Sequence, residues 1–138
     1  MKVFYDSNVV LDVLLNRADF ISDSMAALKF SELRKVKGFI SVVSITDIFY
    51  LLKKNLKNNQ AAIEKMKTLL KIVSIAKADK KTAFQAINSG WNDFEDAVQY
   101  SVAKKLKAKY IVTRNKKDFS NSRIAVVTPK EFLELIGR

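Results

Sequence analysis

Four aspartates stand where a folded chain could gather negative charge: Asp6, Asp47, Asp96 and Asp118. Each follows a stretch that reads as a strand or lies in the first turn of one that reads as a helix. Clustered carboxylates repel one another, and at neutral pH they take up protons or bind a cation. The chain contains neither histidine nor cysteine, so imidazole bases, thiolate nucleophiles and Ser-His arrangements are excluded. An oxygen-only donor set suits Mg²⁺, or Mn²⁺ in its place. With such an ion, water can be activated and phosphate oxygens held without any imidazole. The competing reading is structural, because an aspartate at a helix N-terminus also serves as a cap or as a partner for the helix dipole. Asp47, in Ser44-x-x-Asp47, suits that reading especially well.

The positioning elements follow from hydrophobic periodicity and turn chemistry. Val3-Phe4-Tyr5 reads as a buried strand, with Asp6 at the hinge and Ser7-Asn8 offering a cap to a helix carrying Val9, Val10, Val13 and Leu14. A second helix is expected from Ile21 to about Lys37, with Met25, Leu28 and Leu33 inward and Gly38 ending it. Phe39 to Val43 then reads as a strand. Ser44 is the expected cap of the next helix, which carries Asp47, Ile48 and Leu52. Helical spacing from Ala61 to Leu70, a β-branched run over Ile72 to Ile75 and a short helix from Lys80 to Ile87 continue the alternation.

Asn92-x-x-Glu95 resembles a capping box ahead of a helix that opens with Asp93, Glu95 and Asp96. Tyr110 to Thr113 and Ile124 to Val127 read as the last strands. Thr128-Pro129-Lys130-Glu131 combines a capping box with proline at the first helical position of the final helix. Strands separated by helices require crossover connections. The expected fold is therefore α/β, a three-layer sandwich with a central, mostly parallel sheet and helices on both faces. In such sheets ligands bind beyond the carboxyl ends of the strands, where these aspartates fall.

With 138 residues, 49% of them hydrophobic, the chain fits a single domain spanning residues 1–138. The glycines Gly38, Gly90 and Gly137 are too scattered for a phosphate-cradling or dinucleotide-binding loop. A formal charge of +11 attracts polyanions, nucleic acid first among them. No long apolar run is present, and Asp6 interrupts the N-terminal segment where a signal peptide would continue. The expectation is a soluble, cytoplasmic protein with no membrane partner.

Three segments carry a family likeness: Phe4-Tyr5-Asp6-Ser7-Asn8-Val9-Val10-Leu11-Asp12, Asp93-Phe94-Glu95-Asp96-Ala97-Val98-Gln99-Tyr100 and Tyr110-Ile111-Val112-Thr113-Arg114-Asn115-Lys116-Lys117-Asp118-Phe119. In this order they resemble the PIN-domain family, and the likeness runs over nearly the whole chain. The resemblance implies a Mg²⁺-dependent endoribonuclease, often the toxin of a VapBC-type toxin–antitoxin pair, commonly dimeric and silenced by a small antitoxin. By it, Asp6 matches the first metal-binding acid and Asp96 the third. Asp47 takes the second place, where the family often has glutamate. Many relatives have Thr-Arg-Asp where this chain reads Thr113-Arg114-Asn115, which leaves Asp118 as the fourth carboxylate or Asn115 as a carbonyl ligand.

Around these four, Asp93 shares a helical face with Asp96, and Asp12 either supports the site from behind or is structural. The hydroxyls of Ser7 and Thr113 can bond phosphate or metal-bound water. Arg114, Lys116 and Lys117 can hold an RNA backbone or form a solvated basic loop. Trp91, Tyr50 and Phe119 can stack on unpaired bases, although aromatics in apolar helices more often belong to the core. The alternative function is a catalytically weak PIN-like module that binds RNA or a protein through its basic surface.

Overall fold

The structure is a computed structural model that describes residues 1–137. Its elements alternate as β1 (Lys2–Tyr5), α1 (Ser7–Leu14), α2 (Ile21–Glu32), β2 (Lys37–Ser41), α3 (Ile45–Leu56), α4 (Asn59–Ile72) and β3 (Ser74–Ala76). They continue with α5 (Lys80–Ile87), α6 (Phe94–Leu106), β4 (Tyr110–Val112), β5 (Ala125–Val127) and α7 (Pro129–Ile136). Short 3₁₀ turns cover Val42–Ser44 and Lys116–Phe119. The strand order is β3-β2-β1-β4-β5, and every pairing is parallel. Among the described residues no helix is long and apolar enough to cross a membrane.

Because side chains alternate across a strand, β1 feeds two cores. Val3 and Tyr5 join Val9, Val10, Ile40, Ile48, Leu52 and Phe132 beneath α1 to α4 and α7. Phe4 turns the other way and packs with Ile111, Ala97, Val102, Ala103 and Phe119 beneath α5 and α6. The result is the expected three-layer sandwich, with its sheet wholly parallel.

The chain first adds strands on one side of β1 and then crosses to place β4 on the other. The topological switch point therefore lies between the carboxyl ends of β1 and β4, which is where an open parallel sheet forms its crevice.

Several boundaries differ from the sequence reading. The second helix stops at Glu32, and Arg34 adopts a left-handed φ of 58° in the turn that follows. Gly38 does not end the helix but lies inside β2, where α2 crosses so closely that a Cβ would collide with Ser31 and the Tyr5 ring. Leu28 is buried as expected, whereas Met25 and Leu33 are exposed. β2 begins and ends two residues earlier than expected, because Val42 and Val43 enter the 3₁₀ turn. Ser44 caps nothing with its side chain. Buried, its hydroxyl instead accepts from Gln99 Nε2 at 2.6 Å, which ties α3 to α6. The Asn92-Glu95 box does not form: Asp93 is the N-cap and accepts from the Asp96 amide at 2.9 Å. The box at Thr128 and Glu131, with Pro129 opening α7, forms as the sequence indicates.

Candidate active site

Asp6 is the first residue beyond β1, and its amide donates to the Val112 carbonyl at 2.9 Å, so β1 and β4 end side by side. Three groups fix its carboxylate. Oδ1 accepts from the Ser7 amide at 2.7 Å, and Oδ2 accepts from the Thr113 hydroxyl at 2.8 Å and from Asn8 Nδ2 at 3.3 Å. Thr113, fully buried, also receives the Asn115 amide at 3.0 Å. Asn8 closes the junction by accepting from the Arg114 amide at 3.4 Å. A carboxylate has about four acceptor sites. Asp6 is held by three donors of its own chain, which leaves it acceptor capacity for one more partner.

The other acids come from α6, α3 and the turn after β4. Asp96 is half-buried in the first turn of α6, with Glu95 beside it and Asp93 as the cap. Asp47 lies in the first turn of α3, and Asp118 in the 3₁₀ turn over Lys116–Phe119. Asp118 faces Asp6 and Asp96, while Asp47 and Asp6 face Glu95. Burial pushes the Asp96 carboxyl up to about 7, reinforced by the charges of Asp93, Asp118, Asp6 and Glu95. Burial also raises Asp6 and Asp118 adds to it, while bonds from Thr113 and Ser7 pull the other way. Glu95 is raised by partial desolvation, then by Asp47, Asp93 and Asp6.

The sign of the pH dependence follows. The Asp96 carboxyl rises from 3.8 to about 7 on folding. Its contribution to stability is fully present below the unfolded value and is lost as pH rises through the folded one. Asp6 and Glu95 act in the same direction. Asp79, lowered to about 2 first by its bond from Lys105, has the opposite sign, and its stability is lost only in strong acid. In EDTA, thermal melting should therefore show Tm falling between roughly pH 4 and pH 8, and Asp96→Asn should flatten that decline. A Tm unchanged across this window would mean that neither burial nor neighbouring charge opposes ionisation of these carboxylates.

Not every expected residue joins this group. Asp12 is fully buried within α1, bonded away from the other acids. There it accepts from Ser24 Oγ at 2.9 Å, Arg114 Nε at 2.7 Å and Arg17 Nη1 at 3.4 Å. Arg114, expected to hold RNA, is turned inward by that bond and lies over the Phe20 ring, 3.8 Å from its centroid. Lys116 donates to Glu131 at 3.0 Å, whereas Lys117 has no ion-pair partner among the described residues. Phe119 is core, Tyr50 is exposed, and Trp91 stacks on Tyr100 with centroids 4.8 Å apart.

Two residues absent from the expected set belong here: Asn8, for its bonds to Asp6 and Thr113, and Glu95, for its place among the acids. The Asp6-x-Asn8 spacing was the available signal for the first. The capping pattern assigned to Glu95 concealed the second.

Among the described residues no three carboxylates close tightly enough to enclose an ion unaided. That arrangement still fits Mg²⁺, which binds through one or two carboxylates and keeps several waters. The all-oxygen donors and the uncompensated charge around Asp96 fit it too.

A family model described as the PIN domain matches residues 2–117. A curated relative, ribonuclease VapC1 of Aquifex aeolicus (strain VF5), is 32% identical over 136 residues, covering 96% of this chain and 94% of the relative. The fold is similar to that of VapBC2 from Rickettsia felis bound to a DNA fragment from their promoter. That match has a TM-score of 0.68 and 16% identity, with 92% of this chain and 97% of the other covered. A toxin–antitoxin complex from Klebsiella pneumoniae gives 0.68 at 19% identity with coverage of 92% and 97%. PAE2754 from Pyrobaculum aerophilum gives 0.67 at 17% identity with coverage of 100% and 91%.

Proposed function

The chain belongs to the PIN-domain family, and from that membership and the acidic crevice we propose that it is a Mg²⁺-dependent endoribonuclease, the toxin of a VapBC-type pair. The observation that carries this reading is the meeting of acids from several elements near the switch point: Asp118 acts on Asp6 and Asp96, and Asp47 and Asp6 act on Glu95. Asp6, Asp47, Asp96 and Asp118 would hold the ion, with Glu95 a further candidate and Asp93 and Asn115 in support; Mn²⁺ would substitute. When bound, the ion supplies Lewis acidity toward phosphate oxygens and water.

The chain's own groups do the rest. Ser7, Asn8 and Thr113 fix the orientation of the Asp6 carboxylate, so its free lone pair needs no reorganisation when a ligand arrives. Asp96, whose carboxyl is pushed up to about 7 by burial and then by the charges of Asp93, Asp118, Asp6 and Glu95, would give up its proton on taking the ion. Lys117, free of ion pairs among the described residues, stands next to Asp118 to meet a phosphate.

The reading extends to a single functional domain over residues 1–138, acting in the cytoplasm. It also includes a cognate antitoxin that covers the crevice, and a homodimer. The second reading, a weakly catalytic module that binds RNA or protein, draws on the lack of a tight carboxylate triad among the described residues.

One experiment separates the two. Purified protein is incubated with a structured RNA mixture in Mg²⁺, in Mn²⁺ and in excess EDTA. Cutting in either metal that EDTA abolishes supports the nuclease; folded protein that binds the RNA but leaves it intact in both metals supports the module.

A further inference from the structure

The acidic crevice cannot by itself hold a polyanion, and the charge that would do so lies elsewhere, on the outer layer of the sandwich. α5 and α6 form a helical hairpin. Asp79, just before α5, bonds Lys105 near the end of α6, and Trp91 in the connection stacks on Tyr100. Between the helices runs a groove of about 570 Å³, walled by Lys81, Phe84, Trp91, Tyr100, Lys104 and Arg123. A second hollow of about 250 Å³ shares Lys81 and Lys104 and extends the groove to Lys105 and Lys107. No acidic residue lines either hollow. Of these cations only Lys105 is in an ion pair among the described residues.

We propose that this groove binds the single-stranded RNA flanking the scissile phosphate and feeds it to the acidic crevice. The inference rests on the nuclease reading for its last step but not for the binding itself. Phe84 is 53% exposed, with the Lys80 ammonium over its ring 5.9 Å from the centroid, so an unpaired base stacking there would sit beside a cation. The Arg123 amide donates to the Tyr100 hydroxyl at 3.2 Å, which fixes the guanidine-bearing loop beside the aromatic wall. Unpaired cations beside an exposed aromatic ring are the combination that tracks a single strand, with phosphates on the rim and a base on the ring. The groove also leads to the acids. Tyr100 lies four residues beyond Asp96 on α6, about 6 Å along the axis, and Lys104 about 12 Å. A strand seated on Lys104 and Arg123 would be drawn along the groove and meet repulsion only at its end, where a metal would be needed.

The test uses fluorescence anisotropy of a fluorescein-labelled polyuridine oligonucleotide with the full chain in EDTA, so that binding is read apart from cutting. The variants are Lys81→Glu with Lys104→Glu, Phe84→Ala, and a control of equal charge change on another face, Lys35→Glu with Lys71→Glu; circular dichroism checks their folding. The groove pair should weaken binding about tenfold or more relative to the control and lower the salt slope by about 1.4, two contacts at roughly 0.7 each. Phe84→Ala should weaken it roughly fivefold or more.

Groove variants no weaker than the control would overturn the proposal. So would a polyglutamate peptide competing as well as RNA, since the surface would then be one for acidic proteins. Wild-type protein that cuts RNA while the groove variants bind normally sinks the groove alone. A groove-dependent affinity in a protein that cuts nothing upholds the groove and sinks the nuclease reading.

Discussion

Asp96→Asn should lower RNA cleavage by about 10²–10³-fold while making the metal-free protein more stable above neutral pH. Two effects of opposite sign from one charge are expected of a group held for chemistry at a cost to the fold. The asparagine is nearly isosteric, and the α6 cap is untouched because it belongs to Asp93, whose carboxylate accepts from the Asp96 amide. What disappears is the charge that Asp93, Asp118, Asp6 and Glu95 all oppose, the charge that would anchor a cation. Losing such an anchor removes roughly 3–4 kcal/mol of transition-state stabilisation, which converts to the stated factor. Relief of repulsion should raise Tm in EDTA near pH 8 and abolish most of the further rise that Mg²⁺ gives the wild type. Single-turnover cleavage and thermal melting read the two halves separately. Undiminished cleavage would remove Asp96 from the mechanism, and an unchanged Tm would remove the repulsion.

The same opposition explains what was legible in the sequence and what was not. Alternation of apolar runs with helical spacing shows the parallel sheet, since nothing else joins so many short strands through helices. The cap at Thr128 and Pro129 is local chemistry and was readable as such. The misreadings arose where a distant contact decided. Gly38 looks like a helix stop until α2 is seen crossing β2 on Ser31 and Tyr5. Ser44 looks like a cap, but Gln99, 55 residues away, takes its hydroxyl. Of the proposed site, Asp6, Asp47, Asp96 and Asp118 stand out by their positions after strands and at helix starts. Glu95 was hidden by a capping pattern that does not form. Arg114 was hidden by its own neighbourhood: Arg114 to Asp118 reads as a solvated basic loop, and only the fold brings Asp12 to it from 102 residues away.

That distant pair carries the largest expected effect on stability. Asp12→Asn should destabilise the protein by about 3 kcal/mol in urea unfolding, the lower end for breaking a buried ion pair. The lower end is chosen because its partners are not fully buried. The side chains of Arg114 and Arg17 remain 23% and 36% exposed, so water recovers part of what the carboxylate gave them. Asp12 itself has no such recourse, being fully buried with all its bonds made inside the protein. Arg114→Lys should not be conservative either, because an ammonium cannot both donate through a planar edge to Asp12 and lie flat on Phe20. A double-mutant cycle of Asp12→Asn with Arg114→Ala should give a coupling energy of about 1 kcal/mol or more, and values below about 0.5 would make the contact incidental. The link to the site is covalent and short: Arg114 follows Thr113, whose hydroxyl orients Asp6, and precedes Asn115, whose amide returns to Thr113. Freed from Asp12, that segment should loosen first. Hydrogen exchange of the Arg114 and Asn115 amides in Asp12→Asn should then quicken more than exchange in β2, whereas a uniform change would mean that Asp12 stabilises the whole fold and not the site in particular.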